Sequence, residues 1–232
     1  MLFRQLFDKE TSTYTYLVAD PDSGQAALID PVIEQLDRDL QLMGELGLEL
    51  AYVLDTHVHA DHVTASGLLR ERTGARIVAS RLGPACADVR VGHGDVVNVG
   101  SVAIEVLETP GHTDDSVSYR VGDDVFTGDA LFVRGNGRTD FQNGDPEALY
   151  RSLTEVLLAL PEHTRIWPGH DYRGHTMTTV GEEKRHNPRV AGKSRAEFVE
   201  VMNNLGLPRP KRLDEAVPAN RECGCSEPEV HA

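Results

Sequence analysis

Long apolar runs are missing from this sequence of 232 residues. No stretch approaches the roughly 20 consecutive apolar residues that a membrane-spanning helix needs. The first ten residues alternate apolar and charged side chains, which is typical of a β-strand and unlike the apolar stretch of a secretory signal peptide. We therefore expect a soluble protein with a cytoplasmic location and no membrane association.

Cysteine is also scarce, with Cys86, Cys223 and Cys225 as the three examples. An odd, small number of cysteines without a signal peptide argues against a disulfide framework. Cys223 and Cys225 are too close for an easy disulfide with each other, and no second pair completes a zinc site. We expect free thiols, the last two in an extended C-terminal tail at residues 211–232, which is rich in proline and charge. Residues 1–210 would form one domain.

Positive charge is in deficit. Lysine and arginine total 23 against 37 aspartates and glutamates, which gives a net charge of −14. Nucleic acids and anionic membranes bind through basic patches, so this balance argues against both as partners. If the substrate is an anion, the chain must carry a local cluster of arginine or lysine to receive it.

Strand patterns dominate the chain, with helical patterns between them. Apolar spacing and helix-end signals predict helices at 33–46, 64–72, 146–160 and 194–205. Short apolar or alternating runs predict strands at 2–7, 13–19, 25–29, 48–54, 75–79 and 165–167, and paired strands within 96–107 and 116–126. We expect an α+β fold in which sheets pack together under outer helices. Periodicity leaves the topology open.

A histidine-rich segment directly follows the predicted buried strand at 48–54. Within six residues it carries His57, His59, Asp61 and His62. Each histidine offers a neutral nitrogen ligand, and the aspartate offers a hard oxygen. Four such groups on one tight loop have no structural purpose, so the segment indicates a metal site. We call residues 56–62 the metal loop.

Three further loops present similar side chains at the ends of predicted strands. Thr109-Pro-Gly precedes His112, Thr127-Gly precedes Asp129, and Trp167-Pro-Gly precedes His170. Each of these segments alone is more typical of an ordinary turn. Four strand ends that each present histidine or aspartate are far more specific, and together they predict one metal centre.

This set of residues resembles the metallo-β-lactamase superfamily. The resemblance covers roughly residues 10–175, and the motifs occur in the same order. It implies an αββα sandwich with metals at one edge of the two sheets, and residues 1–210 as the catalytic domain. Many members are hydrolases with two metals. In those, the first two loop histidines, His112 and Asp129 hold one metal, while Asp61, His62, His170 and the shared Asp129 hold the other.

A narrower resemblance concerns the reaction. The stretch TGDALFVRGNGRTDFQ at 127–142, followed by His170-Asp-Tyr172, is similar to persulfide dioxygenases rather than to glyoxalase II thioesterases. That subgroup binds a single iron. The resemblance implies one Fe(II) per chain, held by His57, His112 and Asp129, two imidazoles and a carboxylate that leave other positions open. Five further residues would orient ligands or metal-bound water. They are His59, Asp61, His62, His170 and Asp140.

The predicted substrate, glutathione persulfide, carries two carboxylates. Arg134 and Arg138 flank a Gly-Asn-Gly segment just after Asp129, and arginine forks bind carboxylates in a bidentate way. By itself the segment is more typical of a surface turn with solvated arginines. By the resemblance, Arg138 and Tyr172 bind glutathione, with Arg134 as a further candidate. One departure is Asp114-Asp115, where many relatives have Pro-Gly, and we expect both carboxylates to be exposed.

The sequence thus predicts a persulfide dioxygenase that oxidises glutathione persulfide with O2 and water to sulfite and glutathione. The first alternative is a glyoxalase II-type hydrolase that cleaves S-acylglutathione with two metals. The second is a non-catalytic metal or sulfide sensor, which would need no open coordination positions. We also expect a homodimer, the commonest soluble assembly, and consider a sulfurtransferase as a possible supplier of substrate.

Overall fold

Two six-stranded sheets form the centre of the computed structural model, which describes residues 1–225. In the first sheet the strands lie in chain order, with β1 to β3 antiparallel and β3 to β6 parallel. Its strands are β1 (Leu2–Asp8), β2 (Thr13–Ala19), β3 (Gln25–Ile29), β4 (Glu49–Leu54), β5 (Arg76–Ser80) and β6 (Val89–Val91).

The second sheet is built from the later strands, in the spatial order β12-β11-β10-β9-β8-β7. All its neighbours are antiparallel except β10 and β11, which are parallel. Its strands are β7 (Val96–Val99), β8 (Val102–Glu108), β9 (Val117–Val121), β10 (Asp124–Gly128), β11 (Arg165–Pro168) and β12 (Thr178–Thr179).

Helices cover the outer face of each sheet. The helix α1 follows a 3-10 turn at Ile33–Gln35, and α3 continues as a π-helical segment at Ser152–Leu157. Ser194 and Glu197 form the predicted capping box of α5. The helices are α1 (Leu36–Leu46), α2 (Ser66–Thr73), α3 (Pro146–Arg151), α4 (Val180–His186), α5 (Arg195–Asn203) and α6 (Leu213–Arg221).

The hydrophobic core has three layers because strand side chains alternate between the faces of a sheet. In β2, Tyr16 and Val18 point between the sheets, whereas Leu17 and Ala19 face α1 and α2. On the other outer face, α3 and α5 pack on the second sheet through buried leucines, Phe198 and Met202. This arrangement confirms the expected αββα sandwich. Among the helices of residues 1–225, none is both long and apolar enough to cross a membrane.

The C-terminal segment differs from its prediction. Residues 213–221 form the helix α6, so an extended tail is wrong there. Pro218 lies inside this helix, and proline and charge together hid its pattern. Cys86 and Cys223 form a disulfide across 137 residues, a pairing that spacing could not reveal. The prediction of free thiols is therefore wrong for these two cysteines. Cys225 is free and exposed. Residues 226–232 of the predicted tail lie outside the described residues, and the domain boundary at 210 stays a prediction.

Candidate metal centre

The four predicted loops meet at one edge of the sandwich, because each follows the carboxyl end of a strand. They come directly after β4, β8, β10 and β11. Potential ligand atoms of His57, His112 and Asp129 all lie within 4.8 Å of one another. A second group with the same spacing comprises His59, Asp61 and His62.

His170 and Asp129 join the two groups. The Nε2 atom of His170 lies 3.4 Å from Asp61 Oδ2 and 3.4 Å from Asp129 Oδ1. The other carboxylate oxygen of Asp129 lies 3.5 Å from His112 Nε2. Asp129 therefore faces both groups, one oxygen to each. A bulge between β10 and β11 immediately precedes it, and a Cβ at Gly128 would lie 2.4 Å from Thr56 Oγ1, so glycine permits this close approach.

Hydrogen bonds on the Nδ1 side orient two of the histidines. Thr56 Oγ1 donates to Asp30 Oδ2 at 2.9 Å, so it must accept from His57 Nδ1–H, also at 2.9 Å. His112 Nδ1 donates to the carbonyl oxygen of Arg138 at 2.7 Å. Both contacts leave an Nε2 lone pair free to bind a metal. Burial, together with His59 and His112, holds the pKa of His57 well below its usual range, which keeps its imidazole neutral.

The ring of His59 is reversed relative to those of His57 and His112, because its Nε2 atom rather than Nδ1 contacts the protein. Its Nε2 lies 3.1 Å from Asp30 Oδ1, so Nδ1 faces the centre. Burial opposes its protonation, but the Asp30 carboxylate overcomes this effect and raises the pKa of His59 to about 10. Sequence reasoning missed Asp30 and Thr56. The available signal was that Asp30 also follows the end of a buried strand, β3.

Several buried polar atoms at this edge have no hydrogen-bond partner within residues 1–225. Burying such atoms unpaired is costly, and a bound metal together with its water ligands would satisfy them. Burial opposes ionisation of Asp61, but His170 and His62 hold its pKa well below the usual range. A set of imidazoles and carboxylates suits a transition metal such as iron or zinc. The unpartnered atoms are Asp129 Oδ1, His59 Nδ1 and His62 Nε2.

A cavity of about 890 Å³ opens above the centre. His112, Asp129 and His170 line it, and Tyr172 stacks on the His170 ring with centroids 6.0 Å apart. Tyr172 is mostly exposed, which leaves its hydroxyl available to a ligand. The volume is sufficient for a molecule of tripeptide size.

The two predicted substrate arginines line this cavity but are already paired within the protein. Arg134 forms ion pairs with Glu182 and with the fully buried Glu183. Arg138 binds both oxygens of Asp140 at 2.6 and 2.7 Å, and its guanidinium also donates to two backbone carbonyls, at residues 207 and 208. Asp140 therefore contacts Arg138 rather than a side chain of the metal loop.

Two other arginines of the cavity, Arg173 and Arg189, form no ion pair with a carboxylate in residues 1–225. Arg189 Nη1 donates to the backbone oxygen of Asn136 at 2.5 Å. Burial, with the neighbouring charge of Arg173, lowers the pKa of Arg189. Two adjacent cations without a counter-charge create a local site for an anion. The sequence motifs gave no signal for Arg189, because this residue lies far from every metal motif.

The expected exposure of Asp114 and Asp115 is only half correct. Asp114 is exposed, but Asp115 is buried and accepts a hydrogen bond from the backbone N–H of Val58 at 3.0 Å. Burial raises the pKa of Asp115. Its side chain thus supports the metal loop, because a backbone N–H there needs a buried acceptor.

Comparisons with known proteins agree with this geometry. Residues 8–84 and 87–170 match the family described as the Metallo-beta-lactamase superfamily. The mitochondrial persulfide dioxygenase ETHE1 of Mus musculus is 48% identical over 98% of this chain and 91% of its own length. That of Bos taurus is 49% identical over the same shares. The crystal structure of ETHE1 from Myxococcus xanthus is 66% identical, with a TM-score of 0.96 over 97% of this chain and 100% of that one.

Proposed function

The chain belongs to the metallo-β-lactamase superfamily, and from this premise we propose that it is a persulfide dioxygenase. It oxidises glutathione persulfide with O2 and water to sulfite and glutathione. The observation that carries the proposal is the approach of His57, His112 and Asp129 to within 4.8 Å beside a large cavity. Two imidazoles and one carboxylate are the ligand set of many non-haem Fe(II) oxygenases.

One Fe(II) per chain would be held by these three residues. When bound, it would supply the redox chemistry by which dioxygen reacts with the outer sulfur of the persulfide. The protein's own contribution is orientation: Thr56 and the Arg138 carbonyl bind the two imidazoles through Nδ1, which leaves both Nε2 atoms available to a metal.

The remaining residues of the centre would act on ligands rather than bind iron. The Nε2 atom of His59 lies 3.1 Å from Asp30 Oδ1, and this contact would hold the ring in place beside the iron ligands. Asp61 holds both His62 and His170 through its Oδ2 atom. In this role the second group keeps Asp129 Oδ1 and metal-bound water in place.

Substrate carboxylates would bind along the basic wall of the cavity. We assign Arg173 and Arg189 to this role because their charges are not neutralised by a carboxylate of the described chain. Arg138 and Tyr172 remain proposed glutathione contacts: Arg138 retains one Nη1–H beyond its four bonds to the protein, and Tyr172 is exposed. The ion pairs of Arg134 favour a supporting role for that residue.

The hydrolase alternative rests on a specific observation, since the ligands of a second metal are also present. What favours the dioxygenase is the identity of 48–49% to mitochondrial persulfide dioxygenases over 98% of this chain. The assembly as a homodimer and the supply of substrate by a sulfurtransferase stay proposals of the same kind.

Metal analysis combined with oxygen uptake tests the function. Freshly purified protein is expected to contain one iron per chain and to consume O2 only when glutathione persulfide is added. The Asp61→Ala variant should keep its iron, whereas Asp129→Ala should lose it. Two zinc ions per chain with thioester cleavage would contradict the proposal, and so would loss of metal from Asp61→Ala with full metal in Asp129→Ala.

A further inference from the structure

Asn220, near the end of α6, makes three hydrogen bonds to the backbone around the metal loop. Its Nδ2 donates to the carbonyl oxygens of His59 at 2.9 Å and His62 at 2.8 Å. Its Oδ1 accepts from the backbone N–H of Thr64 at 2.8 Å. The side chain is buried, so both amide protons and the oxygen have partners in the protein rather than in water. This single amide therefore fixes the second half of the loop.

The segment after Asn220 is fitted closely to the chain beside the metal loop. Gly67 N–H donates to the carbonyl oxygen of Cys223 at 2.7 Å. A Cβ at Gly67 would lie 2.3 Å from Cys225 Sγ. Gly224 has a φ of +73°, and a Cβ there would lie 2.1 Å from the carbonyl oxygen of Thr64. Two glycines thus allow the two backbones to approach, one from each side.

A covalent bond holds this segment in place. Cys223, three residues beyond Asn220, is fully buried and bonded to Cys86 in the loop between β5 and β6. The Sγ atom of Cys86 also lies 3.5 Å from the carbonyl oxygen of Arg221. The disulfide therefore connects the end of α6 to the first sheet, and Asn220 lies between this anchor and the metal loop.

We infer that Asn220 is a positioning residue for the metal loop and that the Cys86–Cys223 disulfide controls how firmly it is held. The inference rests on the proposed function only in that the loop binds the catalytic metal. With the disulfide intact, the carbonyls of His59 and His62 are fixed, and so are the rings that meet the metal centre.

Reduction would loosen this arrangement. A thiolate such as that of glutathione attacks one sulfur of the disulfide, and the other leaves as a thiolate that takes up a proton. A second thiol then releases the first cysteine, so the protein gains two thiols and the reductant becomes a disulfide. Glutathione is also the product of the proposed reaction, so its accumulation would weaken metal binding by this route.

The test compares Asn220→Ala and Asn220→Asp with Thr154→Ala. Thr154 lies in the helical segment after α3, and its hydroxyl donates to the backbone oxygen of Tyr150 at 2.7 Å rather than to a loop of the metal centre. Iron affinity is measured anaerobically by competition with a chromophoric chelator, without persulfide. Both Asn220 variants are expected to bind Fe(II) about 10- to 100-fold more weakly, because the loosened loop also carries the proposed iron ligand His57. Thr154→Ala should keep the wild-type affinity.

A second measurement covers the case in which the Asn220 variants do not fold. Chelator-driven iron release is followed in wild-type protein before and after reduction by a phosphine, and in Cys86→Ser and Cys225→Ser. Release should be several-fold faster after reduction and in Cys86→Ser, and unchanged in Cys225→Ser, which keeps the disulfide.

Equal iron affinity in folded Asn220→Ala and wild type would overturn the positioning role. Equal release rates from oxidised and reduced protein would overturn the control by the disulfide. Neither result depends on persulfide turnover, so failure of the proposed function would be recognised separately, by the absence of oxygen uptake from fully iron-loaded wild type.

Discussion

The Nδ1 atom of His112 lies 2.7 Å from the carbonyl oxygen of Arg138. His112, a proposed iron ligand, thus forms a hydrogen bond with the backbone of the loop that lines the substrate cavity. A change in the backbone conformation of that loop would rotate the His112 imidazole, so the geometry of the metal centre is coupled to that of the cavity wall.

Gly137→Ala is expected to damage the metal centre. A Cβ at Gly137 would lie 2.5 Å from the carbonyl oxygen of Asp129 and 2.8 Å from His112 Nδ1, and neither neighbour can move without disturbing a ligand. We expect at least about a tenfold loss of iron affinity. Gly135→Ala is the matched control, because the nearest atom to its Cβ would be 3.9 Å away in Phe132. Similar iron affinities for the two variants would contradict this coupling.

Replacement of the cavity residues Arg134 and Arg189 by methionine should affect different properties, stability in the first case and substrate binding in the second. Arg134→Met leaves the buried Glu183 without its cation, and we expect a loss of about 2–4 kcal/mol in the free energy of unfolding. Arg189→Met removes an unpaired charge, so KM for glutathione persulfide should rise about 5- to 30-fold with little change in kcat. Denaturant titration and steady-state oxygen uptake measure the two effects. A raised KM in Arg134→Met together with a loss of stability in Arg189→Met would instead make Arg134 the substrate contact.

Thr56→Val should weaken iron binding about tenfold, because it removes the hydroxyl that receives the Nδ1 proton of His57. Thr56→Ser keeps this hydroxyl and should bind iron like the wild type. Chelator competition gives both affinities. If valine and serine behave alike, the hydroxyl does not orient His57.

Asp39, in α1, provides a pH-dependent prediction remote from the metal centre. Burial raises the pKa of its carboxyl from 3.8 to about 6, despite the neighbouring Arg38. The folded protein therefore binds a proton more tightly than the unfolded chain, so stability is lost as the pH rises from about 4 to about 6. Asp39→Asn should raise the free energy of unfolding by about 1–3 kcal/mol at pH 7.5 and have much less effect at pH 4.

Asp37→Asn is the control for this experiment. Asp37 lies two residues away in the same helix, but its side chain is 90% exposed. Its removal should change stability by less than about 1 kcal/mol at either pH. A pH-independent gain in Asp39→Asn would show that relief of a buried charge is not the cause.

Local patterns predicted most strands, the longer helices and the metal loops because the information lies in contiguous residues, whereas the αββα arrangement came from the family resemblance. For example, the apolar run of β4 and the metal loop are adjacent in the sequence, so both could be recognised from it. The short strands β6 and β12 and the charged helix α4 carry too few apolar positions to show a period. The roles of Asp30, Arg189 and Asn220 depend on contacts across long sequence separations. The Asn220 amide reaches His59 over 161 residues, a relation that one sequence cannot display.

The opposite signs of the net charge and of the cavity wall have a kinetic consequence. A chain of net charge −14 repels an approaching anion at long range, whereas Arg173 and Arg189 attract it near the cavity. Dissolved salt screens the long-range repulsion more strongly than the short-range attraction inside the cavity. The association rate of an anionic substrate would therefore rise with moderate ionic strength before it falls, the reverse of simple electrostatic steering at low salt.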